Sequence, residues 1–255
     1  MIGMDLSGHV AVVTGASGEL GRVISRTLSQ AGAAVALHYY KNEAKAEAVK
    51  EEIVTGGGRA IVVQADVSDK GSVFAMRDRV QGELGDADII VNNAVHQYKW
   101  VSVLEQDEAD YQSQFDTCVI HNLLMAKAFV PAMIAKEAGR VIAINTECTM
   151  QCEPNQSAYI SGKAGQDRLL RVLAEEIGCH NITVNQVAPG WMISDKFRDQ
   201  PADDSGYIKS VPLGRRGEDQ DIANAVVVTI ELHWVGVDWT VVASVSETVH
   251  VRIGL

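Results

Sequence analysis

The residues best suited to chemistry are Tyr159 and Lys163, which stand four positions apart in the segment Tyr-Ile-Ser-Gly-Lys. On a helix, residues at this spacing share one face, with their side chains about one turn apart. An ammonium held beside a phenol stabilises the phenolate, so the pKa of Tyr159 is expected to fall toward the range of a general acid or base. The alternative is an exposed tyrosine and a solvated lysine that stand four apart by chance. The pair therefore indicates a catalytic site only if the surrounding elements hold it in a cleft.

The composition is that of an acidic globular chain. It has 255 residues, of which 47% are hydrophobic, and a formal net charge of −11. This length fits a single α/β unit with a large core. The acidic balance disfavours binding to nucleic acid and to anionic membranes, because both require a basic surface. Neither partner is expected.

Residues 1–9 show no basic region followed by an apolar run, so no signal peptide is expected. No run of 18 uncharged apolar residues occurs, and the strongest candidate for a membrane span, 223–237, contains Glu231 and His233. The four cysteines are expected to be free thiols in a reducing compartment, which favours a cytoplasmic location. Cys148 and Cys152 lack a second pair of ligands, so no metal site is expected.

Apolar runs and helical spacing alternate along the chain. The predicted strands are 9–14, 33–40, 59–65, 88–91, 140–145 and 182–188, and 248–252 could add a seventh. The predicted helices are 22–31, 42–55, 69–84, 105–136 with a kink or interruption at Pro131, 157–178 and 220–232. Such alternation predicts parallel βαβ units and hence an α/β fold with a doubly wound, Rossmann-like parallel sheet. The whole chain, 1–255, is expected to form one domain, with a substrate loop at about 190–217.

Open α/β sheets bind ligands beyond the carboxyl ends of their strands. The glycine-rich turn 15–21, Asp66, Asn92 and Thr146 all follow predicted strands, so they are expected to meet at one edge. A turn of this kind at a helix N-terminus can hold a phosphate, although it can also be a plain tight connection. Likewise, Asp66 could be a helix cap, and Asn122 could be a solvent-facing residue of the long helix.

Taken together, these motifs resemble the short-chain dehydrogenases/reductases, in the single-domain form that includes 3-oxoacyl-carrier-protein reductases and related dehydrogenases. The resemblance covers roughly residues 5–211 and is carried by motifs that occur in the family's order. They are Thr14-Gly15-x5-Gly21, Asp66-Val67, Asn92-Asn93-Ala94, Asn122, Tyr159-x3-Lys163, and Val184-Asn185 before Pro189-Gly190.

The resemblance implies an oxidoreductase that moves a hydride between a nicotinamide cofactor and a ketone or secondary alcohol. Tyr159 would act as general acid or base on the substrate oxygen. Lys163 would lower the pKa of Tyr159 and bind the nicotinamide ribose. Thr146 stands where the family usually has serine, and its hydroxyl would hold the carbonyl oxygen. Asn122 would support a water that links Lys163 to solvent.

The resemblance also implies a set of cofactor-binding residues, with Asp66 at the adenine edge. The set is Gly15, Ser17, Leu20, Gly21, Tyr39, Lys41, Asp66, Val67, Asn92, Ala94, Tyr159, Lys163, Pro189, Gly190 and Ser194. NAD users place an acid after the second strand to bind the ribose. Here that position is Tyr39, and Lys41 could meet a 2′-phosphate. NADP(H) is therefore favoured over NAD(H).

Three departures from the family pattern support a rival reading, a dehydrogenase-like protein that binds nucleotide with little or no turnover. Glu19 and Val95 stand where the family has glycines, and the tail after residue 232 has lost a glycine. The substrate is expected to be a small free ketone, a steroid-like molecule or a sugar, because an acidic loop would repel an acidic carrier protein. The resemblance alone implies a homotetramer or homodimer through the long helices.

Overall fold

The computed structural model describes residues 5–192 and 206–231. Within them, six parallel strands form one sheet in the order β3-β2-β1-β4-β5-β6. The strands are β1 (Val10–Val13), β2 (Ala34–Tyr39), β3 (Ala60–Gln64), β4 (Ile89–Asn92), β5 (Gly139–Ile144) and β6 (Ile182–Val187). The predicted doubly wound parallel sheet is confirmed. The predicted strand 248–252 lies outside the described residues.

Helices cover both faces of the sheet. They are α1 (Glu19–Gln30), α2 (Glu43–Thr55), α3 (Lys70–Glu83), α4 (Glu108–Phe115), α5 (His121–Lys136), α6 (Cys148–Gln151), α7 (Ser157–Ile177), α8 (Tyr207–Ser210) and α9 (Asp219–Glu231). A π-helical segment, Asp116–Ile120, joins α4 to α5. Pro131 lies inside α5 without ending it. Of the two predicted alternatives at Pro131, the interruption is wrong, because packing of the buried α5 against the sheet outweighs the local penalty of proline, and the kink stays a prediction.

The strands are apolar on both faces because both faces are covered. Successive residues point to opposite sides, so Ala11 and Val13 join one core cluster while Val10 and Val12 join the other. The first cluster includes residues from α1, α2 and α9, and the second includes residues from α3, α5 and α7. This double core fixes the carboxyl ends of the strands, where the predicted site residues lie.

The segment Glu108–Lys136 is long and apolar enough to cross a membrane by length and composition. The candidate named from the sequence, 223–237, lies partly outside the described residues. In the most apolar 18-residue window of the segment Glu108–Lys136, 56% is buried inside the fold. Apolar residues of α5, among them Met125, Phe129 and Met133, belong to the second core cluster. Burial inside the protein accounts for the apolar composition of this segment.

A buried histidine holds the turn that follows β1. The Nδ1 atom of His38 accepts a hydrogen bond from the Gly15 amide at 2.9 Å, and Nε2 lies 3.0 Å from the Ala65 carbonyl oxygen. An amide can only donate and a carbonyl can only accept, so the ring is neutral with its proton on Nε2. Gly15 has a φ of +67°, a left-handed conformation suited to glycine. His38 thus ties the turn to the ends of β2 and β3.

Two buried histidines predict a loss of stability in acid. Burial lowers the pKa of His38 to about 4 and that of His121 to about 3. In the unfolded chain a histidine titrates near ~6.5. Between these values unfolding takes up protons, so the free energy of unfolding should fall as the pH falls from about 6.5 toward 4, by about 1.4 kcal/mol per pH unit for each histidine. Urea unfolding at several pH values measures this slope.

A matched pair of variants isolates the contribution of His38. His38→Asn keeps an acceptor for the Gly15 amide but removes the titrating ring, so its slope should be shallower than that of the wild type. His96→Asn removes an exposed histidine and should leave the slope unchanged. An unchanged slope in His38→Asn would contradict the assignment.

The close packing of α4 against α7 leads to a second prediction about stability. A Cβ atom at Gly162 would lie 2.9 Å from the Gln114 backbone oxygen, whereas a Cβ atom at Gly82 meets nothing within 4 Å. Gly162→Ala should lower the free energy of unfolding by about 1–3 kcal/mol through overpacking. Gly82→Ala should raise it by up to about 1 kcal/mol through helix propensity. Urea titration of both variants checks the contrast, and a stabilising Gly162→Ala would refute it.

Candidate active site

The predicted pair Tyr159 and Lys163 lies on one face of α7. The Lys163 ammonium is 6.0 Å from the centroid of the Tyr159 ring. The ring of Trp100 stacks on Tyr159 with a centroid distance of 6.1 Å and an interplanar angle of 24°. The Tyr159 amide donates a hydrogen bond to the Tyr98 hydroxyl at 2.8 Å. Two side chains that sequence reasoning did not select, Trp100 and Tyr98, therefore also contact Tyr159.

Thr146 follows β5 and is buried. Its side chain is hydrogen-bonded with the Tyr159 side chain. The Thr146 hydroxyl also accepts a hydrogen bond from the Cys148 amide at 3.3 Å. The two hydroxyls predicted to meet a substrate oxygen thus lie together at the carboxyl edge of the sheet.

The pKa of Tyr159 moves in the direction opposite to the sequence expectation. Burial raises it above its usual value, and the hydrogen bond with Thr146 opposes that shift only in part. The Lys163 ammonium does not bond the phenol; it donates to the Ile144 carbonyl at 2.5 Å and to the Gln166 side chain at 3.1 Å. Burial lowers the pKa of Lys163 as well. Tyr159 is therefore a neutral phenol at physiological pH.

Lys163 sits in a network of amide side chains. Gln166 also donates to the Ile144 carbonyl at 3.2 Å. Gln186 accepts from Asn145 at 2.7 Å and donates to Asp167 at 3.0 Å. These residues hold α7 against the ends of β5 and β6. Gln166 was not predicted, although its position three residues after Lys163 on one helix face was a usable signal.

Asn122 lies in the first turn of α5, directly after the π-helical segment. Its side-chain amide donates to the Cys118 carbonyl at 2.6 Å, and its side-chain oxygen accepts from Asn92 at 2.7 Å. The Asn92 side-chain oxygen is buried without a protein partner. π-Helical segments occur frequently at functional sites. The structure thus brings Asn92 and Asn122 together, while the water-supporting role of Asn122 stays a prediction.

The turn after β1 has the shape of an anion site. A Cβ atom at Gly21 would overlap the Gly15 carbonyl, so the turn tolerates no larger residue there. The first residue of α1 is Glu19, which is exposed, and Gly18 provides no side-chain cap. Because the first turn of α1 lacks a capping side chain, its amides can bind a phosphate. The turn therefore fits the pyrophosphate of a dinucleotide.

Other members of the predicted set support this turn. The Asn93 side chain donates to the Thr14 carbonyl at 2.9 Å, and the Ala94 amide donates to the Thr14 hydroxyl at 3.1 Å. Ser17 and Leu20 are half-buried, and Leu20 packs against the first core cluster. Thr14 and Asn93 stand inside the quoted motifs but were not selected as site residues.

The ends of β2 and β3 lie side by side. The Asp66 carboxylate accepts bonds from the Ser68 amide at 2.9 Å and the Ser68 hydroxyl at 2.5 Å. Burial acts to raise the pKa of Asp66, but these bonds and one from Tyr40 hold it below its usual value. Val67 is buried beside it.

At the end of β2, the side chains of Tyr39 and Tyr40 lie in different surroundings. Tyr39 packs in the first core cluster, and its hydroxyl bonds the Glu43 side chain. Tyr40 is 51% exposed, and the Lys41 ammonium lies 5.0 Å from its ring centroid. Tyr40 therefore brings its side chain to Asp66, whereas Tyr39, which was predicted to bind the cofactor, packs in the core.

The segments after β5 and β6 are joined by a backbone bond, because the Glu147 amide donates to the Pro189 carbonyl at 3.0 Å. This places Pro189 and Gly190 beside the segment that carries Thr146. Ser194 lies outside the described residues. Across residues 5–192 and 206–231, no group of three or more His, Cys, Asp or Glu side chains could hold a metal ion.

Comparison with known proteins agrees with this geometry. The sequence model of the family described as short chain dehydrogenase matches residues 9–205. A 3-oxoacyl-[acyl-carrier-protein] reductase of Staphylococcus aureus is 34% identical over 218 residues, which span 85% of this chain and 88% of that protein.

Two solved structures have the same fold. A 7α-hydroxysteroid dehydrogenase complexed with NADH and 7-oxo glycochenodeoxycholic acid is 28% identical, with a TM-score of 0.86 over 96% of this chain and 95% of that chain. A gluconate 5-dehydrogenase from Burkholderia cenocepacia in complex with NADP and tartrate is 25% identical, with a TM-score of 0.81 over 88% of this chain and 89% of that chain. The glycine turn, the Thr146–Tyr159–Lys163 arrangement and these matches together show that the chain belongs to the short-chain dehydrogenase family.

Proposed function

We propose that the protein is an NADP(H)-linked carbonyl reductase that interconverts a ketone and a secondary alcohol, with Tyr159 as general acid and base. The observation that carries this proposal is the hydrogen-bonded pair of Thr146 and Tyr159, with Lys163 one helical turn away. The relatives named above, a 3-oxoacyl reductase, a hydroxysteroid dehydrogenase and a gluconate dehydrogenase, support the same class of reaction.

The described residues fit a dinucleotide. A bound nicotinamide cofactor would supply the hydride chemistry. The turn 15–21 and the N-terminus of α1 would hold its pyrophosphate, and Asp66 with Val67 would meet the adenine. The remaining contacts would come from Asn92, Ala94, Tyr159, Lys163, Pro189, Gly190 and Ser194.

In the reducing direction, Tyr159 donates its proton to the carbonyl oxygen. Burial keeps this proton on the phenol at neutral pH, so the group is ready to act as an acid. The Thr146 hydroxyl donates a second hydrogen bond and stabilises the negative charge that develops on the oxygen. In the oxidising direction, Tyr159 would have to lose its proton before it could act as the base.

The preference for NADP(H) rests on the end of β2. No carboxylate stands at residues 39–41, and the Lys41 ammonium lies near the ring of Tyr40 at this strand end. An ammonium in this position favours a 2′-phosphate. Of the two solved relatives, one is in complex with NADP and the other with NADH, so the cofactor differs among members of the family.

The substrate class and assembly follow from charge and exposed apolar surface. With a net charge of −11, the chain should favour a small free ketone, steroid-like molecule or sugar over a group bound to an acidic carrier protein. Phe115 and Val172 are 48% and 56% exposed, which supports a homodimer or homotetramer through α4–α5 and α7. We place the protein in the cytoplasm, as one domain over residues 1–255, with the loop at about 190–217 bordering the substrate.

Tyr159→Phe should lower carbonyl reduction by about 10²–10⁴-fold, because the general acid is lost. Binding of NADPH should change by less than about threefold, since the variant keeps the ring and Lys163. Steady-state kinetics on a ketone panel and titration of nicotinamide fluorescence measure the two effects.

Tyr111→Phe is the matched control, because the Tyr111 hydroxyl bonds Ser157 at the start of the same helix at 2.8 Å. It should keep wild-type turnover. Unchanged turnover in Tyr159→Phe would refute the mechanism. A wild-type protein that binds NADPH but reduces no ketone would support the rival, a nucleotide-binding protein without turnover.

NADPH should bind more tightly than NADH. Lys41→Ala should weaken NADPH by about fivefold, the effect of roughly 1 kcal/mol for one exposed charge pair, and leave NADH unchanged. Lys45→Ala removes an equal charge one turn into α2 and should alter neither affinity. Equal losses for both cofactors in Lys41→Ala would contradict the assignment of Lys41, and no binding of either cofactor would refute the turn as a dinucleotide site.

A further inference from the structure

A buried carboxylate lies directly beside the proposed catalytic threonine. Glu147 follows Thr146 and is 3% exposed. Its Oε1 atom accepts a hydrogen bond from the Tyr207 hydroxyl at 2.9 Å. Glu147 occupies the N-cap position of the one-turn helix α6, but its side chain makes no capping bond. Helix capping therefore does not explain why a carboxylate is buried here at the expense of its hydration.

The Tyr207 hydroxyl has a second partner. It accepts a hydrogen bond from the Trp191 amide at 2.8 Å, and the two aromatic rings meet edge to face with centroids 5.6 Å apart. Burial, with a contribution from Glu147, raises the pKa of Tyr207 to about 12, so the hydroxyl keeps its proton. One hydroxyl thus donates to the segment after β5 and accepts from the segment after β6.

Gly190 completes this junction. A Cβ atom at Gly190 would overlap the Tyr207 hydroxyl and come within 3.0 Å of the Glu147 Oε2 atom. The three residues are therefore in close contact, and any side chain at Gly190 would push Tyr207 away from its two partners. Gly190 is one of the cofactor-binding residues proposed above, and on that proposal it would contact the nicotinamide.

We propose that Glu147 and Tyr207 are a positioning pair that fixes the Gly190–Trp191 backbone relative to Thr146 and Tyr159. Neither side chain touches the reacting atoms. The pair sets the distance between the turn that holds the nicotinamide and the hydroxyls that hold the carbonyl. This inference rests on the proposed function. A displacement of about 1 Å between reacting groups can cost about 10² in rate, so such a link has a measurable effect.

The first test is independent of activity. Amide hydrogen exchange of Trp191 in the cofactor-free protein reports directly on its bond to Tyr207. Tyr207→Phe should speed the exchange of this amide by about tenfold or more, since a bond of roughly 1.4 kcal/mol or more is lost. Ser210→Ala is the control, because it removes a bond from Ser210 to the Tyr207 carbonyl at 2.7 Å but keeps the hydroxyl. Unchanged exchange of Trp191 in Tyr207→Phe would overturn the link.

The second test separates positioning from simple support of the fold. Tyr207→Phe should lower kcat by about tenfold and enlarge the isotope effect from NADPH deuterated at the transferred position, while the NADPH dissociation constant changes less than threefold. Glu147→Ala should behave like Tyr207→Phe. Glu147→Gln keeps an oxygen that accepts from Tyr207, so it should restore most of the rate.

Three outcomes would overturn the pair: wild-type kcat in Tyr207→Phe, no rescue by Glu147→Gln, or an equal loss in Ser210→Ala. A wild-type protein that reduces no carbonyl refutes the proposed function instead. In that case, the exchange of the Trp191 amide in Tyr207→Phe still decides whether Tyr207 fixes this backbone.

Discussion

The hydrogen bond from the Lys163 ammonium to the Ile144 carbonyl is the contact on which the site depends. Lys163 is 3% exposed, and removing an ammonium from water costs several kcal/mol unless its protons find acceptors. The end of β5 and Gln166 supply those acceptors. Lys163 and Tyr159 share one face of α7, so the bonds that hold the ammonium at the end of β5 also keep the face that carries Tyr159 toward the site.

Around the turn after β1, buried polar groups also need hydrogen-bond partners, and here the groups are uncharged. The carboxyl ends of parallel strands leave backbone groups without a partner in the sheet, and buried ones must be satisfied. His38 accepts a hydrogen bond from the Gly15 amide, and Asn93 donates one to the Thr14 carbonyl. Asn122 accepts one from the Asn92 side chain and donates one to the Cys118 carbonyl. The bonds of His38 and Asn93 reach across from neighbouring elements. The turn after β1 is thus held by β2 and by the residue that follows β4.

Sequence reasoning predicted the sheet well because its strands are short apolar runs between helices, and both faces had to be covered. Sequence reasoning failed where a side chain's surroundings depended on burial or on which face of a strand the residue points to. One residue of register decides which of Tyr39 and Tyr40 enters the core. The pKa of Tyr159 rises because of burial that spacing alone does not reveal. The contact of Glu147 with Tyr207 joins residues 60 positions apart, and no local pattern predicts it.

The π-helical segment between α4 and α5 holds one residue more than an α-helical path would need. Each residue turns an α-helix by about 100°, so the wider π-helical turn absorbs the extra residue locally while α4 keeps its contact with α7 and α5 keeps its contact with the sheet. A residue inserted or deleted elsewhere in α4 or α5 has no such turn to absorb it and would rotate one of these two faces away from its partner. Changes of length in α4 and α5 are therefore expected to be far less tolerated than substitutions.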